Sequence, residues 1–93
     1  MAEMVNYLHC TTAATYTAAT GAGSHTKLMS VNVGTSNAGA TIKIYDGDAT
    51  SGTLVANIDA SAKGSYWYGG IRLTKGITVV VASATIDATI GYI

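Results

Sequence analysis

The sequence predicts an all-β domain: a small antiparallel β-sandwich of about seven or eight strands, with a small barrel as the alternative that satisfies the same pattern. Three observations point there. Val, Ile and Thr supply 29 of the 93 residues, and β-branched side chains suit a pleated sheet while losing rotamer freedom in a helix. Apolar and polar residues alternate along the longer runs, the period-two signature of a strand with one buried face. Turn-forming residues interrupt those runs at intervals of roughly 8–12 residues, and no segment reads as helix-length.

Residues 1–10 read as an N-terminal arm or edge strand, and residues 11–93 as a single sandwich domain. Within the arm, Met4, Val5, Tyr7 and Leu8 are apolar without an evident place in the alternating core that follows. The Ala/Thr-rich stretch 11–19 reads as a strand whose one large anchor is Tyr16, followed by a loop over Thr20 to Ser24. From Lys27 to Val33, Met29, Val31 and Val33 fall on one face, with Ser30 and Asn32 on the other. The next run puts Ala40, Ile42 and Ile44 inward and Thr41, Lys43 and Tyr45 outward, and Asp46-Gly47 ends it in a turn.

Leu54, Ala56 and Ile58 are the inward set of the third run. Asp59 to Gly64 reads as a turn or one helical turn that Asp59 can cap, with Gly64 able to take a positive φ. Extended structure resumes at Ser65-Tyr66-Trp67-Tyr68, is broken or bulged at Gly69-Gly70, and continues through Ile71-Arg72-Leu73. Ile77 to Ala82 is nearly continuously apolar, as a central strand covered on both faces should be. In the closing run Ile86, Ala88, Ile90 and Tyr92 point inward.

Five basic and five acidic residues cancel, and charged residues make up 11% of the chain. A partner of high negative charge, whether nucleic acid or an anionic membrane, has no cationic footprint to meet. The lone Cys10 cannot form an internal disulfide, and no apolar run reaches the ~18 residues of a membrane span. The N-terminus lacks the pattern of a secretory signal, so the expectation is a soluble protein made in the cytoplasm. A chain this short, without disulfide or metal motif, has a narrow stability margin that self-association or docking on a larger body would widen.

Material for catalysis is sparse, and no enzyme, cofactor or metal role is expected. His9 and Cys10 are adjacent, so in a strand they face opposite sides and cannot form a nucleophilic pair, while His25 falls in a loop. Ser24-His25 lacks the surroundings of a nucleophile elbow. Gly21-Ala22-Gly23 lacks the third glycine and the helix of a phosphate loop. Asp46-Gly47-Asp48 has two carboxylates at a turn but too few further oxygens for Ca²⁺, so a turn in which the Asp caps its own backbone is the better reading. Tyr66-Trp67-Tyr68 is the aromatic cluster. In an extended chain Tyr66 and Tyr68 share one face and Trp67 takes the other; if Trp67 packs in the core, the two tyrosines become an exposed platform for a protein or a sugar, which Tyr45 and Lys43 could extend.

The chain carries Ile42-Lys43-Ile44-Tyr45-Asp46-Gly47, then Ser51-Gly52-Thr53-Leu54-Val55, Gly69-Gly70-Ile71-Arg72-Leu73, Lys75-Gly76-Ile77-Thr78-Val79-Val80 and Ile90-Gly91-Tyr92. In these turn and strand motifs, which span a little over half of it, it resembles small proteins encoded among tailed-phage structural genes, the capsid decoration or cement proteins. The resemblance implies a virion protein on the outer surface of the head, often a homotrimer, bound to the major capsid protein across seams of the assembled lattice. Copy number would then multiply a modest affinity into shell stability. On this reading Met4, Val5, Tyr7 and Leu8 make intermolecular contacts, and Tyr66 and Tyr68 form a second patch. The rival expectation is a carbohydrate-binding sandwich of a fibre, tail tip or secreted protein that stacks sugar on Tyr66, Tyr68 or Trp67.

Overall fold

The computed structural model describes residues 6–18, 20 and 26–93. Eight strands follow one another without a helix among those residues: β1 (Asn6–Cys10), β2 (Thr15–Ala18), β3 (Thr26–Thr35), β4 (Thr41–Asp46), β5 (Thr53–Asp59), β6 (Gly64–Leu73), β7 (Ile77–Ala82) and β8 (Asp87–Tyr92). They form two antiparallel sheets of four, in the orders β1, β8, β3, β6 and β2, β7, β4, β5. Neither sheet closes on itself, so the architecture is a β-sandwich and the barrel alternative is set aside. The slab measures 36 × 32 × 16 Å, and its two broad sheet faces dominate the surface.

The core lies between the sheets and is built from the alternation. Val31, Val33, Ile42, Ile44, Ala56, Ile58, Val79, Val81, Ala88 and Ile90 are all buried. The apolar run Ile77 to Ala82 occupies the interior position between β2 and β4. Such a run needs cover on both faces, and here even Thr78, on its outer side, is fully buried.

Four expectations are corrected, each by local geometry that periodicity cannot see. Met29 does not join the inward set of β3. Pairing skips it between Leu28 and Ser30, and this bulge turns Leu28 into the core and leaves Met29 half-buried near Gly70. Leu54 is likewise not inward. Tyr45 pairs with Leu54 but Ile44 with Ala56, so Val55 is the extra residue of a bulge and Leu54 is thrown outward, 46% exposed. The strand expected over 11–19 shrinks to Thr15–Ala18, with Ala19 outside the described residues. Before it, the Tyr16 hydroxyl accepts from the Thr11 and Thr12 amides at 3.2 and 3.1 Å and donates to the Thr12 carbonyl, folding the chain into a bend. Lastly, Leu8 has a place in the core after all: it pairs with Ile90 and packs against the buried cluster.

Gly69 and Gly70 bulge a continuous β6 rather than dividing it, with φ of +68° and +93°. Those angles lie in the left-handed region, where a side chain is disfavoured. They absorb the extra residues between Trp67, opposite Ser30, and Ile71, opposite Leu28.

Candidate functional site

Among the described residues, His9 and Asp46 are engaged by other parts of the fold and Cys10 is buried in the core. His9 projects from the outer side of β1 and places Nε2 2.6 Å from Asp87 Oδ1, with both side chains more than half exposed. A surface pair of this kind contributes at most about 1 kcal/mol. Cys10 points the other way, into the core, and burial pushes its thiol up to about 12. Ser24 and His25 lie outside the described residues, as do Met4, Val5 and Gly21 to Gly23.

Asp46 does not cap its own loop. Its carboxylate reaches the connection between β6 and β7, accepting from the Thr74 amide at 3.0 Å, the Lys75 amide at 2.9 Å and the Thr74 hydroxyl. Burial pulls its pKa upward, and the Lys75 and Thr74 amides, the Thr74 hydroxyl and the Lys75 charge outweigh that, leaving the carboxyl below its ordinary value. Both oxygens of the Asp46 carboxylate therefore already accept from donors of the β6–β7 connection.

The aromatic triplet is oriented opposite to the platform expectation. Tyr66 pairs with the buried Val31 and so faces the inner side, where its hydroxyl folds back toward Gly64. Tyr68 packs against the core, and burial, with the neighbouring Tyr66 adding to it, raises its pKa. Trp67 is the outward residue, 72% exposed. The physical reason is register: opposite Trp67 stands Ser30, an outward residue of β3, and directly paired residues share a face.

Each broad face then has its own chemistry. On the β1, β8, β3, β6 sheet one row across the strands reads Tyr7, Gly91, Ser30, Trp67. The next reads His9, Thr89, Asn32, Ser65. Tyr7 is 68% exposed, so exposed rings stand at both ends of the first row, with only a covered glycine backbone and a half-buried serine between. In the second row Ser65 Oγ donates to Asn32 Oδ1 at 2.8 Å.

On the β2, β7, β4, β5 sheet the outer rows read Thr17, Thr78, Tyr45, Leu54 and Thr15, Val80, Lys43, Asn57. Leu54 is exposed, and Tyr45, Val55 and Val80 are half-buried. Tyr45 and Lys43 thus lie on the sheet opposite Trp67 and do not extend the aromatic cluster, a placement the sequence left open.

Of the six residues expected at an interface, Tyr7 stands on an open face, Tyr66 lies at the margin of the inner side, Leu8 and Tyr68 serve the protein's own core, and Met4 and Val5 are outside the described residues. Leu54, Ser30 and Asn32 are the surface residues that sequence reasoning left out. The outward placement of Ser30 and Asn32 was present in the alternation, whereas that of Leu54 depends on a bulge carrying no sequence signal. No protein-family model matches the chain, and no curated protein is significantly similar to it in sequence.

Proposed function

We propose that the protein is a capsid decoration protein that docks on an assembled phage head through the outer face of the β2, β7, β4, β5 sheet and strengthens contacts between major capsid subunits. The observation that carries this reading is the pairing of Tyr45 with Leu54 on that face. These residues come from two separate motifs of the phage-protein resemblance, and the fold sets them side by side, facing out, next to the half-buried Val55 and Val80. A patch of this make-up, with Thr15 and Thr17 around it and Lys43 and Asp59 as its charged neighbours, suits burial against protein: apolar contact stabilises the complex and few charges must be desolvated. A flat sheet also offers a rigid surface that loses little conformational entropy on docking. The work is mechanical. Each copy adds contact area across a seam, and self-association into a homotrimer would let one weak site act as three.

The test is cosedimentation of the purified protein with empty heads and with unassembled major capsid protein of the same phage. Selective pelleting with heads, lost in Leu54→Asp and Tyr45→Asp variants that still fold, is the expected result. Failure to pellet with heads overturns the reading.

A further inference from the structure

The decoration reading leaves the opposite broad face without a role, and that face is built differently. We propose that the outer surface of the β1, β8, β3, β6 sheet binds a neutral oligosaccharide, laid across the strands between the Tyr7 and Trp67 rings. The reading is independent of head binding, because it uses the other sheet.

The first row supplies the stacking plates. Tyr7, Gly91, Ser30 and Trp67 are register partners across four adjacent strands, so the two aromatic residues stand three strand spacings apart, about 14 Å between backbones. Gly91 and Ser30 raise nothing taller than a hydroxymethyl group between them. A pyranose ring has an apolar face of C–H groups and a rim of hydroxyls, and it pairs with a flat ring that carries a polar tip, as Tyr and Trp do. Neither ring is needed by the core, since they are the two most exposed of the large apolar side chains among the described residues. Beside Trp67 stands the left-handed Gly69, where a Cβ would lie 3.6 Å from the indole Nε1, so glycine keeps that flank of the ring clear of a side chain.

The second row supplies the polar partners. Thr89, Asn32 and Ser65 each carry both donor and acceptor capacity, which is what a sugar hydroxyl demands of its neighbours. Asn32 is oriented by the Ser65 hydroxyl at 2.8 Å, and His9 by Asp87 at 2.6 Å.

Charge selects among ligands that stack. Single-stranded nucleic acid also uses aromatic plates, but it needs a cationic groove along its backbone. Here Lys27 and Arg72 are register partners on adjacent strands at one end of the face, and Asp87 lies at the other beside His9. The rows between carry no further charge, so the complementary ligand is neutral.

Trp67 is the only tryptophan, so its fluorescence reports this face alone. The experiment titrates the full chain with cellotetraose, chitotetraose, maltotetraose and mannotetraose, with glucose and oligo(dT) as comparisons, following Trp67 emission and binding heat. Saturable binding of at least one tetraose is expected, at least ten-fold tighter than glucose. It should weaken at least ten-fold in Trp67→Ala and in Tyr7→Ala, and stay unchanged in Leu54→Asp on the opposite face. The variants are checked for native melting, since both rings are exposed. No emission change or heat with any of the four tetraoses overturns the proposal, as does binding that survives both aromatic substitutions, or tighter binding of oligo(dT). Head sedimentation by the Trp67→Ala protein separates this outcome from the docking reading, because loss of one leaves the other standing.

Discussion

Asp46 Oδ1 accepts the backbone N–H of Lys75 at 2.9 Å, and the same carboxylate takes the Thr74 amide and hydroxyl, joining the end of β4 to the connection by which the chain crosses from one sheet to the other. Two further bonds tighten the joint: Gly47 N–H donates to the Gly76 carbonyl at 3.1 Å, and the buried Thr78 hydroxyl donates to the Gly47 carbonyl at 2.8 Å. Removing the carboxylate leaves two backbone donors to water. Asp46→Ala should therefore cost about 1 kcal/mol, by analogy with the loss of a helix cap, which lowers the melting temperature of a domain this size by roughly 4–8 °C.

The same carboxylate gives a pH dependence of definite sign. Its folded pKa lies below the ordinary 3.8, so the stability it contributes is fully present above pH 3.8 and is lost as pH falls through the folded value. Thermal melts of the natural chain and of Asp46→Asn should differ by a constant amount from neutral pH down to about 3.8, then converge on further acidification. A gap that widens on acidification would contradict the assignment.

Leu8 and Tyr7 are neighbours in β1 with opposite fates. Leu8 packs against the core opposite Ile90, and Tyr7 points to solvent. Burying an unpaired carboxylate is costly, so Leu8→Asp should lose about 2–4 kcal/mol, whereas Tyr7→Asp should change stability by less than about 1 kcal/mol. Denaturant titration of the two variants decides it, and equal losses would mean that β1 is not docked as described.

The faces of β4, β7 and β8 were legible because each keeps strict alternation, or an unbroken apolar run, with no inserted residue. The expectations failed at Met29 and Leu54, where one extra residue in a strand reverses which side chains face inward. The facing of Trp67 was illegible for another reason. A Tyr-Trp-Tyr triplet has two apolar faces, and only the partner strand, through Ser30 and Val31, says which one is buried. The aromatic row across the sheet was illegible for the same cause. Its members are distant in sequence, and residues 7, 30, 67 and 91 meet only when three strand pairings are known. The reach of Asp46 to Lys75 is likewise a tertiary fact, since local turn chemistry predicts only that an Asp will cap something nearby.

Gly52 is demanded by close approach rather than by dihedral angle. A Cβ there would stand 2.3 Å from the Asp46 carbonyl oxygen, which belongs to the backbone and cannot swing away. Gly39 is the opposite case, with open space around it but φ of +78°. Gly52→Ala should cost about 2–3 kcal/mol through forced backbone movement, and Gly39→Ala about 1 kcal/mol through strain alone. Urea midpoints in the reverse order would show that the β4–β5 turn is looser than this.

Cys10 offers a test of how tightly the sandwich holds its first strand. The thiol has no exposed surface, and burial raises its pKa from 9.0 to about 12. Thiol reagents attack the thiolate, whose fraction below pH 9 falls about 10³-fold for a shift of that size, before steric exclusion is counted. Labelling with a chromogenic disulfide should consequently be at least about 10³-fold slower for the native protein than for the urea-unfolded chain. Its rate should rise with denaturant as β1 opens from β8, because strand separation is what exposes the sulfur. A native rate close to the unfolded one would mean that β1 leaves the sheet in the resting molecule. Tyr7 would then move with it, and the aromatic row that ends on Trp67 would lose one of its two plates.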